Sequence, residues 1–220
     1  MHQARTIPIP WLSHFPSDWA VLPLFSLVEE VMERNDGGRV TNVLSLSYGK
    51  IVRRDISSNA GLLPESFDTY QIVQPGDIVL RLLDLQNDHE SLRVGLVKEV
   101  GIVTSAYVAI RKRAPVNPDY LAYLLHTYDL LKVFYSFGGG IRQAMKFDDL
   151  KRLPILYPKL DDQNRIVSYL DNQTETIDRI TGLRRIDKSR GVVDDQITLL
   201  QEYRAALIHE CVTGQHAVPN

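Results

Sequence analysis

The chain has a single cysteine, Cys211, in 220 residues. That excludes an internal disulfide and any metal site built from several thiolates, and it suits a reducing cytoplasm. There is no apolar run approaching the ~20 residues a membrane-spanning helix needs. The first stretch carries Pro8, Pro10 and Pro16 in place of the unbroken apolar core of a signal peptide. The expectation is a soluble cytoplasmic protein with no membrane partner. An excess of positive charge is also missing: 25 Lys and Arg stand against 27 Asp and Glu, for a net charge of −2. The balance is 17 against 17 over residues 1–158 and 8 against 10 over 159–220. Any contact with nucleic acid must therefore come from a local patch.

What is present is ordinary globular material, 44% hydrophobic and 24% charged, enough for one domain of about 150 residues plus an extended element. Short β-rich runs at 40–48 and 51–54 are bounded by Gly49 and by Ser58-Asn59-Ala60-Gly61. Gln74-Pro75-Gly76-Asp77 is a turn feeding the strand Ile78-Val79-Leu80, and 92–97 and 102–110 complete a mixed sheet. Trp19 is expected to anchor the N-terminus to the core. Asn117 with Pro118 opens a helix whose apolar face is Leu121, Leu124, Leu125, Tyr128 and Leu131. Gly138-Gly139-Gly140 ends that region, and Pro154 and Pro158 flank an extended connector.

The last third differs in kind. No proline occurs from Gln163 to Val212, and apolar residues recur three or four apart from Ile166 to Cys211. The fold class read from this is an α/β (α+β) globular domain with a mixed sheet over 1–158, then a long coiled-coil-type helix over 159–213 and a flexible tail over 214–220. A continuous helix from Ile166 to Val212 spans about 70 Å. Its stripe needs a partner helix, from a second copy or another subunit, with Ile166, Leu170, Ile177, Ile180, Leu183, Val193, Ile197, Leu200 and Leu207 as the interface. Gly182, Gly191 and the polar Asp187 to Arg190 interrupt the stripe, and the alternative is two shorter helices in a hairpin on the same domain.

No catalytic set emerges. Asn117-Pro118-Asp119-Tyr120 is one residue from the Asn-Pro-Pro-Tyr loop of amino-methylating enzymes, but the same residues make a good helix cap. Phe137-Gly138-Gly139-Gly140 follows a helical pattern, the wrong context for a nucleotide-binding glycine loop. Asp149-Leu150-Lys151 lacks a second carboxylate to share a divalent ion. His2, His14, His89, His126, His209 and His216 show no metal-ligand spacing, and Cys211 reads as a buried small hydrophobe. No metal or cofactor is expected on this chain. Basic clusters remain at Arg53-Arg54, Arg111-Lys112-Arg113, and Arg142 with Lys146, Lys151 and Arg152. Each is as readily a solvated surface as a nucleic-acid contact.

In order along the chain, several motifs resemble the specificity subunits of type I restriction-modification enzymes. They are Pro16-Ser17-Asp18-Trp19, Pro75-Gly76-Asp77-Ile78-Val79, Gly101-Ile102-Val103-Thr104-Ser105-Ala106-Tyr107 and Gly138-Gly139-Gly140-Ile141-Arg142-Gln143. The most specific part is the spacer: Leu153-Pro154-Ile155, Asp162-Gln163-Asn164-Arg165-Ile166, Tyr169-Leu170-Asp171, Leu199 to Ile208, and Val212-Thr213-Gly214. Asp162 stands where the family usually has Glu. A complete subunit carries two recognition domains and two spacer helices, whereas this chain holds one of each, as a half-sized subunit or a fragment, the Val-Thr-Gly ending favouring the former. The resemblance implies a non-catalytic DNA-recognition chain that reads a bipartite site in double-stranded DNA. Its partners would be modification (methyltransferase) subunits, a motor-nuclease restriction subunit and, through the long helix, a second copy. S-adenosylmethionine, ATP and Mg would belong to the partner subunits only. The DNA-contact candidates are Ser47, Tyr48, Arg53, Arg54, Arg81, Arg93, Arg142, Gln143 and Lys146. The competing readings are a stand-alone DNA adenine methyltransferase and a non-DNA coiled-coil scaffold.

Overall fold

The computed structural model describes residues 9–54, 66–85, 92–136, 144–183 and 192–219, the side chains of 178–183 and 192–197 excepted. In chain order its elements are β1 (Ala20–Pro23), α1 (Leu24–Leu27), β2 (Val28–Glu30), β3 (Leu44–Ser47), β4 (Lys50–Arg53), β5 (Gln71–Val73), β6 (Ile78–Leu80), β7 (Val94–Leu96), β8 (Gly101–Val103) and β9 (Val108–Lys112). They continue with α2 (Pro118–Leu130), α3 (Val133–Ser136), α4 (Phe147–Leu150), β10 (Pro154–Tyr157), α5 (Leu160–Leu183) and α6 (Val192–Val212).

The central sheet runs β2-β9-β6-β7, and β1-β10, β3-β4 and β5-β8 form two-stranded pairs. Every one of these ladders is antiparallel, which corrects the expected mixed sheet. The two-residue turn between β3 and β4 requires antiparallel pairing, whereas the other ladders bring together strands more than ten residues apart in the chain. The run expected over 102–110 is two strands, because the chain turns at Thr104, whose carbonyl accepts the Tyr107 N–H at 3.1 Å, and the halves join different sheets. The Gln74 to Asp77 turn is present, closed by the Asp77 N–H on the Gln74 carbonyl at 3.0 Å. The Asp77 carboxylate is buried, accepts the Gln74 N–H at 2.8 Å, and takes a two-pronged bond from Arg111 at 2.8 and 2.7 Å. This ion pair ties β6 to its neighbour β9, so Arg111 of the basic triplet is engaged within the fold.

Helix α2 starts as its residues dictate. The Asn117 side-chain oxygen accepts the N–H groups of Asp119 and Tyr120 at 2.9 and 3.2 Å, and Pro118 sits at the first helical position where no N–H is missed. Tyr120, Leu121, Leu124, Leu125 and Tyr128 then enter one large core with Leu80, Val94 and Ile110 of the sheet and with Ile166, Leu170, Leu207 and Ile208.

The C-terminal third is two helices rather than the single helix expected over 159–213. α5 and α6 pack on each other and both pack on α2. The Tyr169 hydroxyl lies 3.2 Å from His216 Nε2, and the Tyr120 hydroxyl lies 3.3 Å from the Val212 carbonyl. A continuous helix would hold residues 169 and 216 about 70 Å apart. The hairpin alternative is the one present, because α2 and the sheet already offer the stripe an apolar surface. Ile166, Leu170, Ile177 and Leu207 of the expected interface between copies are consequently buried inside one chain. Leu200 is half-buried, and Ile180, Leu183, Val193 and Ile197 lie outside the described side chains.

The tail is fastened at its start. Gly214, at φ +74, closes α6, and a Cβ there would stand 2.3 Å from Pro16 Cδ and 3.2 Å from the Trp19 ring. The Pro16-Ser17-Asp18-Trp19 motif thus packs on Val212-Thr213-Gly214, and Trp19 joins the core edge as expected. Gly214→Ala combines a left-handed backbone with a steric overlap, so a stability loss of about 2 kcal/mol is expected, on the order of 4–8 °C in melting temperature for a chain this size. Thermal denaturation followed by circular dichroism measures it, and an unchanged midpoint would contradict the packing.

Candidate nucleic-acid interface

Strands β3 and β4 are joined by the two residues Tyr48 and Gly49, at φ 48 and 73. Positive φ at both is the twist a two-residue hairpin favours, but asparagine or aspartate normally fills the first place. A tyrosine there is strained by roughly 1 kcal/mol or more. Its side chain is 71% exposed. The tip rests on Leu92, whose Cδ1 lies 3.2 Å from where a Gly49 Cβ would be, and close to His126 of α2.

The sequence-derived candidates divide into groups. Ser47, Tyr48, Arg53 and Arg54 share this hairpin and its end. Arg53 is exposed but forks onto Glu99, its Nε at 2.9 Å from both carboxylate oxygens and its Nη2 closer still. That bond holds the Glu99 carboxyl below its ordinary range and raises the Arg53 guanidinium. Arg54 is half-buried and donates its N–H to the Val43 carbonyl at 2.8 Å. Arg81 is half-buried, and its N–H bonds the Arg93 carbonyl at 2.9 Å. Lys146 is exposed at the start of α4, its N–H bonded to Asp149 at 2.9 Å. Arg142 and Gln143 lie outside the described residues.

Arg93 corrects the expectation directly. It is 0% exposed, so its guanidinium does not reach a ligand at the surface. It donates to the carbonyls of Arg81 (3.0 Å), Leu83 (2.7 Å) and Asp84 (3.4 Å) and to the Tyr135 hydroxyl (2.9 Å).

A groove of about 860 Å³ runs between the hairpin and the helices, with Tyr48, Lys50, Leu92, His126, Asp171 and Arg204 among its walls. Its charged lining is Lys50, Lys98 and Arg204 against Asp119, Asp171 and Glu202, a balance that suits no polyanion. Lys98 bonds Asp119 at 2.6 Å, and Tyr123 donates to Asp171 at 2.7 Å. Lys50, Lys98, His126 and Arg204 carried no signal in the sequence, because only tertiary folding brings α6 against the hairpin.

The methyltransferase reading loses its residues. Asn117 Oδ1 caps α2, Asn117 Nδ2 donates to Asn164 at 2.8 Å, and the Tyr120 ring is fully buried and stacks on no base. Cys211 is buried, its thiol pushed up to about 11 by that burial. Among the described residues no cluster of three or more His, Cys, Asp or Glu is arranged to hold a metal ion, and no helix is long and apolar enough to cross a membrane.

Residues 98–186 match the family described as the type I restriction modification DNA specificity domain. The match covers β8 through α5. Two solved structures share the fold over 97% of this chain at 18% identity and a TM-score of 0.50. One is the HsdS subunit from Thermoanaerobacter tengcongensis, and the other comes from work on complex assembly and conformational transition of the type I R-M system. The chain spans about half their length, 49% and 50% respectively. No curated protein sequence matches.

His126 generates a measurable pH dependence. Burial, then the Arg204 charge, holds its imidazole down to about 4 from the ordinary 6.5. The unfolded chain therefore takes up the proton first as the pH falls. The stabilisation is complete above about pH 6.5 and is lost as the pH drops toward 4. Urea unfolding midpoints are expected to fall across that window, with a shallower fall for His126→Gln. Parallel curves for the two proteins would refute the assignment.

Proposed function

We propose that this chain is a non-catalytic DNA-recognition subunit of a type I restriction-modification complex. It would position methyltransferase and restriction subunits on a bipartite site. The match of residues 98–186 to the DNA specificity domain carries the reading. The hairpin with strained, exposed Tyr48 supports a protein face built to meet a ligand, and the same face holds Ser47, Lys50 and Arg54. S-adenosylmethionine, ATP and Mg belong, on this reading, to the partner subunits.

A bipartite site needs two recognition units, and we assign the second to another copy of the chain. The hairpin relocates the contact between copies. With Ile166, Leu170 and Leu207 covered internally, the exposed large apolar residues among the described side chains of α6 are Leu199 at 65% and Tyr203 at 57%, one helical turn apart, beside half-buried Leu200. An isologous pair presents the same face twice, so the two half-sites should be inverted repeats.

Methylome sequencing of cells expressing this chain with its modification subunit is expected to show adenine methylation at a palindromic, interrupted motif. Absence of any new methylated motif would sink the reading. Affinity of the complex for a duplex carrying that motif should fall about tenfold between 50 and 200 mM salt for two neutralised phosphates, and further for each additional one. Light scattering is expected to find a dimer at micromolar concentration and a monomer for Tyr203→Glu. A wild-type monomer would remove the self-pairing.

A further inference from the structure

Residues 37–54 carry Arg39, Lys50, Arg53 and Arg54 and no acidic residue, in a chain whose net charge is −2. Arg39 lies 3.7 Å from Glu33, and Arg53 forks onto Glu99. Lys50 and Arg54, in the β3–β4 ribbon and at its end, have no ion pair or side-chain hydrogen bond among the described residues. Side chains alternate between the two faces of a ribbon, and residues directly opposite share a face. The register therefore turns Leu46 with Ile51 to one face, and Ser45 with Val52 and Ser47 with Lys50 to the other. Two glycines let the first face sit close against β7 and β8. A Cβ on Gly95 would stand 2.5 Å from Leu46 Cδ1 and 2.8 Å from Ile51 Cδ1, and one on Gly101 would stand 2.5 Å from Leu44 Cδ1. The base of the ribbon is fixed as well. The Ile102 N–H donates to the Asn42 carbonyl at 2.9 Å, and Asn42 Nδ2 donates to the Val100 carbonyl at 2.8 Å.

The outer face keeps its polar groups unspent. Val52 is 40% exposed, Lys50 is exposed, and Ser45 and Ser47 are half-buried, their hydroxyls without a hydrogen-bond partner among the described residues. Two small hydroxyls, a branched aliphatic group and a cation match what base edges offer in the major groove. A hydroxyl donates or accepts there, valine methyls meet the thymine methyl, and an ammonium bonds the acceptors of guanine. Size points the same way. Two strands about 4.8 Å apart, with their side chains, fit a groove about 12 Å wide and not one about 6 Å wide. Successive outer residues of one strand stand about 6.8 Å apart, the height of two base-pair steps of about 3.4 Å. We propose that the β3–β4 ribbon is the base-reading element of this chain: Ser45, Ser47, Lys50 and Val52 face base edges in the major groove, and Arg54 holds a phosphate. This rests on the reading of the chain as a DNA-recognition subunit and adds to it the element, the groove and the side chains. The ribbon precedes residues 98–186, so the family match assigns it no part in recognition.

The test uses the complex of this chain with its modification subunit and two duplexes of equal length, one bearing the motif found by methylome sequencing and one scrambled. Further motif duplexes carry a 7-deazapurine in place of one purine, or uracil in place of one thymine, changes confined to the major-groove edge. Ser47→Ala, Lys50→Gln, Val52→Ala and Arg54→Gln are compared with wild type by fluorescence anisotropy across a salt series. The first three are expected to lose roughly tenfold or less in affinity for the motif duplex and nothing of that size on the scrambled one. At one or more positions a modified base should weaken wild type and cost Lys50→Gln or Val52→Ala less, since the contact is already gone. Arg54→Gln should weaken both duplexes alike and lower the salt slope by about one phosphate contact. Melting temperatures should match wild type, because the altered side chains face outward. Wild-type discrimination by all three readout variants overturns the proposal. So does a wild type insensitive to every modified base, or variants that keep its full sensitivity, because the ribbon then lies away from the major groove. Equal weakening on both duplexes with a lowered melting temperature overturns it as a merely structural role, and loss of the modification subunit from the complex shows that the face meets protein instead. If wild type itself fails to prefer the motif duplex, the DNA-recognition reading fails first and the inference falls with it.

Discussion

The rest of the structure depends on α2 being wanted on two sides. One face, with Leu121, Leu124, Leu125 and Tyr128, lies in the core shared with the sheet, and the helix also receives α5 and α6. A helix covered this way is not strongly amphipathic, and its burial contributes roughly 1.5–3 kcal/mol for each large apolar side chain. Polar bonds fix the register of the pieces. The Tyr120 hydroxyl lies 3.2 and 3.3 Å from the carbonyls of Leu156 and Val212, joining α2 to β10 and to the end of α6. Buried Gln163 accepts the Asn117 N–H and donates to the Pro158 carbonyl, joining the start of α5 to the start of α2.

The chain has a net charge of −2, so its proposed DNA-recognition role must fall to a local patch. Several of its arginines serve the fold: Arg111 closes on buried Asp77, Arg53 forks onto Glu99, and Arg93 gathers loop ends. The planar guanidinium is suited to this work because it satisfies several acceptors at once. On the proposed reading, sequence discrimination would rest on the placement of a few groups more than on bulk attraction, the division of labour expected between base readout and phosphate contact.

Local chemistry was legible from the residues wherever a short motif carries its own geometry. The Asn117-Pro118 cap, the Gln74 to Asp77 turn, the β3–β4 hairpin and the buried Cys211 all follow from neighbours within four positions or from plain hydrophobicity. The candidate site was less legible. Arg93 read as a surface cation because an arginine between apolar residues looks the same whether it faces water or a fan of carbonyls. Tyr48 was legible as a candidate, but its strain was not, since a positive φ is set by the strands on either side of the turn.

By itself the sequence determined most element types, the exclusion of an internal disulfide, the helix cap, and a stripe from Ile166 to Cys211 that had to be covered. Only the tertiary structure decided what covers it. Periodicity records that one face of a helix avoids water, but it does not record whose surface receives that face. Here α2 and the sheet lie within reach of α5 and α6, so the chain itself buries Ile166, Leu170, Ile177, Leu207 and Cys211. Among the described side chains of α6, Leu199 and Tyr203 stay exposed. The fate of Arg93 was decided in the same way, by the carbonyls of Arg81, Leu83 and Asp84 and the Tyr135 hydroxyl, which folding brings around its guanidinium.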